Sequence, residues 1–143
     1  MSHIADLEAL EPGTLAIGWL EPEFSYTQGE CVSAFAARLT VFARCWFKSI
    51  EALHGGVAMG KHTCGFCGKA HGSGTFGVPA GDTLYWCPEL VAHYVAAHGY
   101  APPPEFVAAV MACPLPGTPE YAAAVAPMVA RQAVPSASAD PAS

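Results

Sequence analysis

Lys61-His62-Thr63-Cys64-Gly65-Phe66-Cys67-Gly68 is the stretch on which the reading of this chain turns, and His93-Tyr94-Val95-Ala96-Ala97-His98-Gly99 lies about 25 residues beyond it. Two thiols on a glycine-flanked turn and two imidazoles near a helix end are the donors that a closed tetrahedral Zn²⁺ site requires. Gly65 and Gly68 let the backbone turn so that its amides can point at the sulfurs. The metal ligands expected from this pattern are Cys64, Cys67, His93 and His98. A five-residue separation is about 500° of helix, so the two rings leave an ideal helix on different faces. Loosening of the last turn before Gly99 would bring both to one ion. No catalytic residue is expected from the pattern.

Composition sets the frame around that stretch. The 143 residues are 52% hydrophobic and 13% charged, enough for one domain with a core. Thirteen Pro and fourteen Gly imply short, frequently broken elements. The domain is expected over 1–132, followed by a disordered Pro/Ala/Ser tail over 133–143. The net charge is −6, and the six basic residues, Arg38, Arg44, Lys48, Lys61, Lys69 and Arg131, include no adjacent pair. Nucleic-acid affinity rests largely on neutralised phosphates, so this charge balance argues against such a partner. The N-terminus has no basic segment followed by an apolar run, and no apolar stretch reaches the ~18 residues of a membrane span. The expectation is a cytoplasmic protein without a membrane anchor. In a reducing compartment, six Cys are better explained as metal ligands and buried thiols than as three disulfides.

The expected fold class is α+β: a small zinc-bridged β-hairpin–helix unit packed with a long N-terminal helix and two C-terminal helices. Residues 3–10 read as a short helix stopped at Glu11-Pro12-Gly13, and 15–20 as a strand or buried turn. Val32, Phe35, Leu39, Phe42, Trp46, Ile50 and Leu53 recur at steps of three and four, which predicts one helix over 31–53, ended by Gly55-Gly56. Residues 75–78 and 83–86 read as a hairpin about Pro79-Ala80-Gly81-Asp82. Pro88 is expected to open a helix with Glu89 in its first turn and Gly99 as its cap. Further helices are expected from Pro102 to about Ala112 and, capped by Thr118, over 119–131.

Other candidates compete for the site. His62 can replace a His ligand or support one from outside, and Cys87 borders the helix and can also be a ligand. A solvated loop His and a buried free thiol are the plainer readings of these two. A redox Cys-x-x-Cys needs a helix starting at its first Cys, and Gly65-Phe66-Cys67-Gly68 starts a helix poorly.

The order of these elements resembles a cross-braced zinc finger. Cys64 and Cys67 match its Cys pair and His93 and His98 its His pair, with a span of ~25 residues where a C2H2 finger has ~12–15. The block Tyr85-x-x-Pro88-Glu89-Leu90-Val91-x-His93-Tyr94-Val95-x-x-His98-Gly99-Tyr100-x-Pro102-Pro103-x-x-Phe106 also resembles a group of small, uncharacterised bacterial zinc-binding proteins. Those carry His-x-Cys-x-x-Cys upstream, matched by His62, Cys64 and Cys67, and a Trp-Leu matched by Trp19-Leu20. The resemblance covers roughly residues 15–112. It implies Zn²⁺ on Cys64, Cys67, His93 and His98, and brings no reaction or partner with it.

The functional expectation is a zinc-stabilised accessory or protein-interaction module with a protein partner and no catalysis, in which Tyr85, Tyr94, Tyr100 and Pro102–Pro104 offer contact residues. Their other reading is packing of the hairpin on the helix. One alternative is a metal-dependent enzyme with an open zinc site, for which Glu89 is the nearest candidate base. Another is a nucleic-acid-binding finger, although the 88–98 helix carries no Arg, Lys, Asn or Gln to read base edges.

Overall fold

The chain, seen as a computed structural model, is described for residues 3–54 and 62–139, with side chains as far as Arg131. Gly55-Gly56 and Lys61 lie outside the described residues. The class is α+β. A four-stranded sheet has the order β1 (Ala9–Glu11), β2 (Thr14–Ala16), β6 (Thr83–Pro88), β5 (Thr75–Ala80), and a separate two-stranded ladder joins β3 (His62–Thr63) to β4 (His71–Gly72). β2 runs parallel to β6, and the other pairs are antiparallel. Among the described residues there are five helices: α1 (Ser33–Arg44), α2 (Trp46–Ala52), α3 (Val91–His98), α4 (Pro104–Ala112) and α5 (Pro119–Ala139).

The first residues do not form the expected helix. Ile4 bridges Trp19, the Leu7 amide donates to the Ala16 carbonyl, and Ala9–Glu11 joins β2. Asp6, placed in a helix by local reading, uses both carboxylate oxygens on distant donors: the Gly18 amide at 3.0 Å and the Tyr100 hydroxyl at 2.7 Å. Backbone groups spent on the sheet cannot close helical turns, and a propensity of a few tenths of a kcal/mol per residue does not outweigh that pairing.

The helix expected over 31–53 is two helices. Cys45, at φ −99° and ψ 23°, leaves helical geometry, and the amides of Lys48 and Ser49 turn back to its carbonyl to begin α2. The buried face of α1 carries Phe35, Leu39 and Phe42, and Arg38 ties that helix to the end of α4 through the carbonyls of Val110 and Cys113. α2 instead lies along β5. Its Ser49 Oγ accepts the Gly77 amide at 2.9 Å, and the Tyr121 hydroxyl of α5 donates to the Gly77 carbonyl at 2.6 Å. Ser49 and Tyr121 are themselves 2.7 Å apart, and both side chains are fully buried. The outer edge of β5 is thus closed by side chains from two helices, which satisfies groups that an edge strand otherwise leaves open.

The central hairpin is longer than expected, with Gly81-Asp82 as its turn and Pro79 and Ala80 inside β5. Pro88 does not open α3: it is the last residue of β6, paired with Thr75. Glu89, expected in the first turn, uses Oε1 to accept the amides of Ser73 at 2.9 Å and Gly74 at 3.1 Å. α3 therefore begins at Val91. Its position is set by Gly18, which has φ +80° and whose absent Cβ would stand 2.5 Å from a Val91 methyl. Gly99 ends α3 in the left-handed conformation, as the sequence predicts. Thr118 caps α5 through Oγ1, which accepts the Tyr121 amide at 3.1 Å. The α5 backbone runs on to Ala139, beyond the expected boundary at 131. The side chains of the 133–143 segment, and residues 140–143 entirely, lie outside the described residues.

Tyr121→Phe removes the donor to the buried Gly77 carbonyl without opening a cavity. It is expected to lower the unfolding free energy by about 1–3 kcal/mol in a urea titration, the cost of an unsatisfied buried acceptor.

Candidate metal centre

Cys64 and Cys67 sit on the loop that joins β3 to β4. The loop is closed at its neck by the Cys64 amide, 2.8 Å from the Ala70 carbonyl, and inside by the Gly68 amide, 2.9 Å from the Cys64 carbonyl. Gly68 has φ +69°, so the chain turns left-handed just after the second Cys. The Cys pair thus has a small ladder of its own, and β4, β5 and β6 fill the long span before the His pair.

His93 and His98 come from α3, which stays helical through His98, so the expected loosening of the last turn is not needed. Their rings meet edge to face with centroids 4.8 Å apart. The two Nε2 atoms are 3.1 Å apart, Cys64 Sγ lies 3.4 Å from His98 Nε2, and Cys67 Sγ lies 3.4 Å from His93 Nε2. All four donor atoms lie within 4.8 Å of one another. A tetrahedral ion with bonds of about 2.3 Å to sulfur and 2.05 Å to nitrogen would set these edges at about 3.3 Å for N–N, 3.6 Å for S–N and 3.8 Å for S–S. The three short edges match within about 0.3 Å, and the others, none above 4.8 Å, require at most about 1.2 Å of closure. The four residues can therefore hold a metal ion.

The surroundings hold the donors in place. Cys64 is buried, whereas Cys67, His93 and His98 are half-buried. The Tyr26 hydroxyl donates to the His98 carbonyl at 2.7 Å, at the open end of α3. Phe66, between the two Cys, lies against His98 at 5.2 Å and Tyr26 at 5.4 Å between centroids. A Cβ on Gly65 would stand 2.9 Å from the Pro22 ring, so the 22–26 segment covers this loop closely. Backbone amide donation at Lys69, followed by the hydrogen bond from His98, lowers the Cys67 thiol from 9.0 to about 6. Amides aimed at a sulfur favour its thiolate, which is the form that binds metal.

The structure separates these four from the other sequence candidates. His62 is not in the cluster, and its buried Nε2 has no hydrogen-bond partner among the described residues. Cys87 is fully buried in the core, and burial pushes its thiol well up. His71 is exposed and shares a 2.9 Å hydrogen bond with Thr63. Cys113 is buried with a thiol raised by burial to about 11, and Cys31 and Cys45 are half-buried free thiols. The three tyrosines offered as contact residues are interior: Tyr85, Tyr94 and Tyr100 are 7%, 1% and 0% exposed. They pack the hairpin and α3 into the core. Sequence reasoning did not find Tyr26 or Pro22, since neither carries a spacing signal toward the Cys loop.

Among the described residues, no helix is long and apolar enough to cross a membrane. The family described as Domain of unknown function (DUF7919) matches residues 2–111, a stretch that contains all four clustered residues and stops before α5. No curated protein and no solved structure matches the chain.

An ion held by these donors would compete with protons for them. The depressed Cys67 value means that its thiolate, and the stability linked to it, is present at higher pH and is lost as pH falls through about 6. Metal affinity measured in buffers from pH 8 to pH 4.5 is expected to weaken progressively as pH falls through about 6, where the metal-free Cys67 takes up its proton.

Proposed function

We propose, for a chain that belongs to the family Domain of unknown function (DUF7919), a zinc-stabilised accessory or protein-interaction module in which the ion is structural and no chemistry occurs at the metal. The observation that carries this reading is the convergence of four donors, two thiols and two imidazoles, within 4.8 Å. Two sulfurs and two nitrogens in a tetrahedron favour Zn²⁺ over harder ions. Four protein ligands leave no coordination position for a reactive water. Glu89, the candidate base for the enzymatic alternative, already uses one oxygen to hold Ser73 and Gly74.

Cys64 and Cys67 on one hairpin loop, cross-braced to His93 and His98 on one helix, support the likeness to a zinc finger with β5 and β6 inserted. The ion would fasten the β3–β4 loop to α3, and it would contribute on the order of 10 kcal/mol to folding at neutral pH. The net charge of −6 supports a protein rather than a nucleic-acid partner.

Protein purified without added metal is expected to contain one zinc per chain. X-ray absorption should report two sulfur and two nitrogen ligands, and a strong chelator should cause cooperative loss of near-UV circular dichroism. Three protein ligands with an oxygen would instead restore the open-site enzyme, and protein that folds fully without metal would remove the structural role. His98→Ala is expected to weaken zinc by more than about 100-fold, beyond what loss of an outer partner costs, whereas His62→Ala should leave it within about tenfold.

A further inference from the structure

The segment from Pro22 to Glu30 lies along the metal centre with little of its own to hold it there. Its residues are exposed except Tyr26, the one that turns inward. A segment with so few buried contacts opens locally at low cost. It is tied to the run that follows α3 by a short antiparallel pairing. Gln28 bridges Tyr100, the Gly29 amide donates to the Gly99 carbonyl at 2.9 Å, and the Ala101 amide donates to the Thr27 carbonyl at 2.9 Å.

Tyr26 restrains His98 in two ways. Its hydroxyl donates to the His98 carbonyl at 2.7 Å. Its ring meets Phe66 edge-on at 5.4 Å and 74°, and Phe66 lies against the His98 imidazole at 5.2 Å and 35°. Backbone and ring of His98 are both held, and an imidazole must swing to leave an ion. Pro22 bears on the other chain of the site: a Cβ on Gly65, beside Cys64, would stand 2.9 Å from its ring. The segment therefore clasps one edge of the donor set, Cys64 Sγ to His98 Nε2 at 3.4 Å. Cys67 and His93 form the other 3.4 Å edge, and among the described residues no member of 22–30 is a hydrogen-bond or ring partner of either. An ion freed from Cys67 and His93 alone would still be held by Cys64 and His98.

We propose that residues 22–30 are a retaining strap for the ion, with Tyr26 as its positioning residue, and that the ion leaves the Cys64–His98 edge only after the strap lifts. Such a role rests on the structural-ion reading above and adds what governs release. Opening precedes release, so a change that raises the open fraction speeds release by the same factor.

The test is zinc transfer from the full-length, zinc-loaded protein to a chromophoric chelator, at concentrations where the rate no longer depends on the chelator. Tyr26→Phe keeps the ring and loses the donor to His98, and is expected to speed release by about threefold to tenfold, the worth of one such hydrogen bond. Tyr26→Leu also loses the ring edge on Phe66 and should add a further several-fold. Amide hydrogen exchange at Gly29 and Ala101 should rise by the same factor as release. The visible spectrum of the cobalt-substituted Tyr26→Phe protein should match that of the unaltered protein, since the four ligands stay in place. Tyr121→Phe is the matched control: it loses a hydroxyl-to-carbonyl bond of 2.6 Å at the β5 edge, and its release rate should not change. Pro22→Ala, which withdraws the ring carbons from Gly65, is the second variant and should act in the same direction. Release indifferent to both strap positions, release raised equally by Tyr121→Phe, or an altered cobalt spectrum overturns the strap and leaves the structural ion standing. A chain that takes up no zinc overturns both, and metal content shows this before any rate is measured.

Discussion

The meeting of one hairpin loop and one helix end is the constraint around which this chain is arranged. Cys64 and Cys67 reach the imidazoles of His93 and His98 only if the β3–β4 loop and α3 are held at a fixed distance. That distance is set from several sides. Gly18 lets β2 approach Val91 at the start of α3, Gly99 stops α3 immediately after His98, and Tyr26 takes the last carbonyl. Each is a small feature of the backbone, and together they place four donor atoms about one point. An ion there would add a cross-link between parts of the chain more than twenty residues apart, where loop-closure entropy makes a link worth most.

The four-stranded sheet supplies the platform. Its outer strand β5 carries Phe76 and Val78 into the core and is sealed at Gly77 by Ser49 and Tyr121. This explains the break at Cys45. A single straight helix would pack along α3 and α4 or cover β5, but not both, and α2 is the piece that turns to cover the strand. The seal also gives α5 a place in the fold, although α5 lies outside the stretch matched by the family.

Much of the site was legible because its signals are local. Cys-x-x-Cys with glycines on either side is a turn chemistry, and Gly99 marks a helix end beside His98, so donor types and spacing could be read along the chain. The same holds for the hairpin and for the Thr118 cap. The errors came where a residue serves a distant partner. Asp6 looked helical but is held by Gly18 and Tyr100. Pro88 and Glu89 looked like a helix start but finish β6 and brace the turn at Ser73-Gly74. For Tyr85, Tyr94 and Tyr100 contact and packing both stood open, because the sequence does not show which side of the hairpin faces α3; burial decides for packing.

By itself the sequence determined the class of the fold, which thiols and imidazoles would cluster, and the net acidic charge, because these follow from composition, period and turn residues. Only the tertiary structure decided that His62 and Cys87 stand outside the cluster. It also decided that α1 and α2 part at Cys45, and that the Asp6 carboxylate takes the Gly18 amide and the Tyr100 hydroxyl. Those outcomes depend on which strands pair and which helix covers which edge. Hydrogen bonding and burial choose among these arrangements over the whole chain, and no short window of residues contains that choice.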